Sequence, residues 1–127
     1  MATPLPILTD KAPKPIGPYS QAIDTGEFVF ISGQIPLCPK DGSIVGDDIE
    51  TQAAAALCNL REVLAAAGLT FENVVKTTVF LRNMNDFSCF NKVYETMFAG
   101  AAPARSVVEV SALPRGVMVE IEAVAWR

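Results

Sequence analysis

Two runs rich in β-branched residues, Pro103–Val110 and Val117–Ala125, are separated only by a short segment containing Leu113-Pro114-Arg115-Gly116. Runs of that kind read as strands, and their adjacency in sequence predicts that they pair as a hairpin. A side-chain period of two then sorts their charges. Arg105 and Glu109 share one face of the first strand with Val107, while Glu120 and Glu122 share a face of the second, opposite Val119, Ile121 and Ala123. If Val110 pairs near Val117, then Arg105, Glu120 and Glu122 all stand on one face. A guanidinium beside carboxylates on an apolar sheet is either a structural ion pair or a site for a small anion, and spacing leaves both open.

The rest of the chain supplies a second layer. Ser20–Asp24 and Glu27–Ser32 read as strands around a tight turn at Thr25-Gly26, and Asn73–Arg82 as a third strand. A helix is predicted from Asp48 to Ala67, closed by Gly68, with Ile49, Ala53, Ala56, Leu57, Leu60, Leu64 and Ala67 as its buried stripe. Asn85 or Asp86 caps a second helix to about Phe98, whose apolar face is Phe87, Phe90, Val93, Tyr94 and Met97. Pro4, Pro6, Pro13 and Pro15 make residues 1–15 an extended arm with little regular structure. Ser32-Gly33-Gln34 interrupts a buried strand, as a bulge or as a point where a ligand or partner approaches the backbone. The order of two strands, helix, strand, helix, two strands predicts an α+β fold. It is a two-layer sandwich, a mixed β-sheet with two helices on one face, forming one domain over residues 1–127.

Composition narrows the chemistry. The chain has no histidine, which excludes His-containing triads, the usual zinc and non-haem iron sites, and two-histidine ribonuclease mechanisms. Its net charge is −4, and its ten Lys and Arg form no basic stripe, so neither nucleic acid nor an anionic membrane is an expected partner. No apolar run reaches the roughly 20 residues of a membrane helix. Met1-Ala2-Thr3-Pro4 lacks the basic start of a signal peptide, so the cytosol is the expected location. Cys38, Cys58 and Cys89 have no paired spacing and fit free thiols in a reducing compartment. Half the residues are hydrophobic and mean hydropathy is +0.31, which predicts a homo-oligomer that covers apolar surface with other copies of itself.

The candidate residues are therefore few. Arg105 presents a planar fork of donors that grips a carboxylate in two parallel hydrogen bonds. Glu120 or Glu122 beside it in a cleft can orient a water molecule. Tyr19, after Gly17-Pro18, offers a ring wall or a hydroxyl, or is a packed aromatic. Cys58 reads as a small packing residue of its helix. Dinucleotide, Walker, nucleophile-elbow and paired-Cys metal motifs are missing.

Pro103-Ala104-Arg105-Ser106 and Val119-Glu120-Ile121-Glu122-Ala123 resemble motifs of the RidA (YjgF-type) family. Ile16-Gly17-Pro18-Tyr19-Ser20-Gln21-Ala22, Ile31-Ser32-Gly33-Gln34-Ile35-Pro36, Val75-Lys76-Thr77-Thr78-Val79-Phe80-Leu81 and Asn85-Asp86-Phe87 extend the resemblance, in the family's order, over essentially the whole chain. The resemblance implies a chorismate-mutase-like fold and a homotrimer with clefts between subunits. It implies cofactor-free deaminase activity: hydrolysis of reactive 2-imino and enamine acids, such as 2-iminopropanoate and 2-iminobutanoate, to 2-oxo acids and ammonia. These intermediates are released by pyridoxal-phosphate enzymes such as threonine or serine dehydratase, which the activity would protect. Arg105 matches the family arginine that holds the substrate carboxylate, and Glu120 the carboxylate that holds the attacking water. Tyr19, Ser32, Gly33 and Asn91 match cleft positions. Val107 stands where some members have Cys, which removes any thiol-based role there. Relatives are also ascribed endoribonuclease or translation-inhibitor activity and chaperone-like roles, the alternative classes.

Overall fold

Asp48 starts the first helix by accepting a hydrogen bond from Thr51 N at 2.7 Å, an N-cap interaction that stabilises a helix by about 1 kcal/mol. The helix, α1, runs Ile49–Ala66 and ends at Ala67, with Gly68 beyond it at φ +77°, a left-handed conformation that glycine adopts without a Cβ penalty. All seven residues of its expected stripe are buried. The second helix, α2, spans Phe87–Phe98. Its expected cap is displaced: the Asp86 side chain makes no capping bond, and Asn83 instead caps a preceding 3-10 turn, Met84–Asp86, by accepting from Asn85 N at 2.9 Å.

The computed structural model describes residues 4–127. Its strands are β1 (Leu5–Ile7), β2 (Ala22–Asp24), β3 (Phe28–Gln34), β4 (Val74–Leu81), β5 (Ala104–Glu109) and β6 (Val119–Trp126). They form one mixed six-stranded sheet in the order β1-β2-β3-β6-β4-β5, and both helices pack on one face, so the α+β expectation holds. The core between the layers joins Leu57, Leu60, Val63 and Leu64 of α1 and Phe90 of α2 to Val29, Ile31, Val79, Leu81 and Ile121 of the sheet. Each fully buried aliphatic side chain contributes about 1.5–3 kcal/mol.

The N-terminal arm is extended with little regular structure, as expected, except that Leu5–Ile7 is an edge strand antiparallel to β2, compatible with Pro6 because an edge strand can leave one N–H position unpaired. The closing hairpin does not form. β5 is parallel to β4, and β6 inserts antiparallel between β3 and β4. The helix between β4 and β5 makes a crossover connection, and strands joined by a crossover lie parallel; β5 therefore takes the sheet edge, one strand away from its chain neighbour β6.

The sheet face away from the helices carries exposed large apolar side chains toward β3, the end of β6 and β5. Phe30, Trp126 and Val108 on it are 49, 55 and 42% exposed, large fractions for side chains of that size.

Candidate active site

Along β6, Val119, Ile121, Ala123 and Ala125 enter the core, so the strand period sends Glu120 and Glu122 to the open face. Phe80 stands opposite Glu120, and Thr78 opposite Glu122. On the neighbouring strand β3, three steps from Ile31 to Gln34 answer two from Ala123 to Ile121, a bulge at Ser32-Gly33. Glu120 occupies the space that a side chain on Gly33 would need: a Cβ there would lie 2.0 Å from Glu120 Oε2 and 2.7 Å from Cδ. The bulge expected at this glycine is present, and the group that approaches its backbone is the chain's own carboxylate where a ligand or partner was the other reading.

Glu120, Glu122, Ser32, Gly33 and Tyr19 line a cleft of about 370 Å3, with Ile16, Ile35 and Pro114 as its apolar wall. Glu120 is half-buried; loss of hydration raises its carboxyl above the ordinary value, and repulsion from Glu122 adds to the rise. Ser32 donates its hydroxyl to Ser20 O at 2.6 Å, which fixes the segment next to Tyr19. Tyr19 is exposed rather than packed, and its hydroxyl accepts from Ile16 N at 3.3 Å. It lines the cleft and is no packed core aromatic.

Three buried amides tie the segments around this cleft to the body of the protein. Gln21 Oε1 accepts from Thr9 N at 2.7 Å, and its Nε2 donates to the carbonyls of Thr9 at 3.0 Å and Pro13 at 2.9 Å. Asn59 Nδ2 donates to Ile35 O at 2.9 Å and Leu37 O at 3.0 Å. Gln52 accepts from Met118 N at 2.8 Å and donates to Gly46 O at 3.0 Å. An amide suits each place because it satisfies carbonyl acceptors and, for Gln21 and Gln52, an N–H donor without burying charge.

Arg105 lies elsewhere. It pairs with Thr77 of β4, which pairs with Ala123 of β6, and Thr77 and Ala123 are buried beneath the helices. The guanidinium therefore points to the helix layer, on the opposite face from Glu120 and Glu122, and the shared face expected from a hairpin is overturned. Its Cζ sits 4.7 Å from the Tyr94 ring centroid and 5.7 Å from that of Phe87. No carboxylate among the described residues lies within ion-pairing distance of it; the ion pair found is Arg127–Asp24 at 2.6 Å. Glu109, on the same face of β5, is engaged by Met84 N at 2.8 Å. Arg105 is therefore no part of a structural ion pair among the described residues.

Asn91 and Tyr94 join Arg105 around a second hollow of about 360 Å3, rimmed by Lys92 and Glu95. Asn91 Oδ1 is buried without a hydrogen-bond partner. Sequence reasoning took Tyr94 only as part of a core stripe; its one distinguishing mark, the hydroxyl, is engaged with Thr77 Oγ1 at 2.8 Å. One chain therefore brings together Tyr19, Ser32, Gly33 and Glu120 on one side of the sheet, and Arg105 and Asn91 on the other.

A family model described as Endoribonuclease L-PSP matches residues 9–127. A RutC family protein of Pyrococcus horikoshii is 53% identical over 121 residues, 95% of this chain and 96% of its own. The 2-iminobutanoate/2-iminopropanoate deaminase of Mus musculus is also 53% identical, over 94% of this chain and 88% of its own. Among solved structures, E. coli TdcF with bound serine superposes with a TM-score of 0.93 at 44% identity, covering 97% of this chain and 98% of that one.

Proposed function

The chain belongs to the Endoribonuclease L-PSP (RidA) family, and from that premise we propose that it hydrolyses reactive 2-imino acids, such as 2-iminopropanoate and 2-iminobutanoate, to 2-oxo acids and ammonia. The observation that carries the reading is an arginine with no carboxylate partner among the described residues, together with a half-buried glutamate of raised pKa on the opposite sheet face. A carboxylate anchor and a proton carrier are what imine hydrolysis requires. The deaminase of Mus musculus and the serine held by E. coli TdcF support a small α-substituted carboxylic acid as the ligand.

The two halves complete a site only between copies. In the homotrimer we propose, the open sheet face with its exposed apolar side chains meets a neighbouring subunit, and Arg105 of one copy faces Glu120 of the partner subunit. The substrate carboxylate takes the two-pronged hydrogen bonds of Arg105. The iminium carbon, already electrophilic, is held beside a water on Glu120. Glu120 accepts a proton as the water oxygen bonds to that carbon, giving a tetrahedral carbinolamine. It returns that proton to the nitrogen and takes the hydroxyl proton as the C–N bond breaks, so that the carbonyl and ammonia leave and the remaining proton passes to ammonia as ammonium. A raised carboxyl pKa suits a group that must both take and return a proton. The three free thiols and the absence of a membrane-spanning helix among the described residues agree with a cytosolic setting.

The ribonuclease in the family description gives a second reading, which the net charge of −4 and the lack of a cationic stripe disfavour. One assay separates the two: the protein is added to a threonine dehydratase reaction, and the appearance of 2-oxobutanoate is timed. Acceleration that disappears in Arg105→Ala supports the deaminase. No acceleration, with RNA cleavage that follows the protein through purification, rejects it.

A further inference from the structure

Buried or half-buried arginines are usually held by a carboxylate, because five N–H donors seek acceptors and the charge seeks a counter-charge. Arg105 has none among the described residues. Its Cζ instead lies over the Tyr94 ring, 4.7 Å from the centroid, and 5.7 Å from that of Phe87. A cation over an aromatic face is attracted by the ring quadrupole, and guanidinium planes stack well on such faces. A ring engages the plane and leaves the N–H edge free, whereas a carboxylate would occupy that edge and cancel the charge.

The ring itself is held in place. Tyr94 and Thr77 share a 2.8 Å hydrogen bond, and Tyr94 stacks on Phe98 with centroids 4.3 Å apart. Thr77 is also the residue opposite Arg105 across the β4–β5 ladder. The same backbone pairing therefore sets where the guanidinium starts and where its shelf is pinned.

We propose that Tyr94 is a positioning residue for the substrate-carboxylate anchor, an aromatic shelf that fixes Arg105 while leaving its full charge and its hydrogen-bonding edge to the ligand. The inference rests on the deaminase reading of the site and adds the group that aims its arginine. It makes Tyr94 a determinant of carboxylate affinity, with little direct part in the chemical step.

The test measures binding of 2-oxobutanoate by calorimetry beside steady-state deamination, in the assembled protein. Tyr94→Leu should weaken 2-oxobutanoate binding and raise KM by about ten-fold, with kcat at saturation within about three-fold of wild type. Tyr94→Phe, which keeps the ring, should restore most of the affinity. A role confined to packing would lower the melting temperature of Tyr94→Leu without this split between KM and kcat. Should Tyr94→Leu fail to fold, Phe87→Leu removes the second ring and should weaken binding by about three-fold. Unchanged affinity in the folded ring-removing variants, or a Tyr94→Phe as weak as Tyr94→Leu, overturns the proposal alone. A wild-type protein that binds no 2-oxobutanoate and deaminates no imino acid overturns the functional reading, and the proposal with it.

Discussion

Glu120 lies where the side chain of residue 33 would be, its Oε2 within 2.0 Å of the position a Gly33 Cβ would take. The carboxylate, the flexible partner in that contact, must therefore yield to any larger residue. Gly33→Ala should leave the fold nearly intact, with the melting temperature changed by less than about 2 °C. It should reduce kcat by about 10–100-fold, because the carboxylate no longer meets the water at the right place. Steady-state kinetics beside thermal unfolding checks both halves.

Arg105→Ala and Glu120→Gln should each lose at least about 100-fold in kcat/KM. Because the two residues belong to opposite sheet faces, the two inactive proteins should complement each other. Random reassembly of equal amounts gives a trimer in which about one interface in four carries both intact residues, so about a quarter of wild-type activity should return. Mixing after denaturation and refolding, with no recovered activity, would place both residues in the site of a single subunit.

The pH dependence of stability has a definite sign. Burial and Glu122 raise the Glu120 carboxyl, so the folded protein holds that proton more tightly than the unfolded chain. The contribution is present at acid pH and is lost as pH rises through the native value. Glu120→Gln should therefore melt roughly 1–3 °C above wild type near neutral pH, the gap closing toward about pH 4. A gap that widens on acidification would contradict the burial of this carboxyl.

Gln21 binds the N-terminal arm through hydrogen bonds to Thr9 and Pro13. Gln21→Ala should cost about 1–3 kcal/mol. Amide hydrogen exchange should rise first in Leu5–Ile7 and Thr9, before the core strands respond.

Periodicity made the helices legible: every residue of the α1 stripe is buried, and Gly68 ends the helix by the route its chemistry suggested. The individual strands were legible for the same reason. Their neighbours were not. Alternation identifies which residues share a face within a strand, but it carries no information about which strand lies alongside, and the β4–α2–β5 crossover decides that over a longer range. The mistaken hairpin placed Arg105 beside Glu120, although each had been singled out. Tyr94 stayed hidden because a ring that packs in the core and a ring that supports a guanidinium follow the same helical spacing. The amide clamps gave no local signal, since Gln21, Gln52 and Asn59 find their partners in distant loops. The β1 strand was masked by the prolines around it.

Those clamps have one property in common that bears on every measurement of the cleft. Gln21 holds the arm that leads to Ile16 and Tyr19, Asn59 holds Ile35, and Gln52 holds Met118 at the entrance to the strand of Glu120. None of the three side chains gains or loses a proton across the biological range. Acid and base therefore change the contents of the cleft while these fastenings of its frame stay electrically silent. A titration of its function reads the Glu120 carboxyl inside, with no signal from the amides that hold the walls.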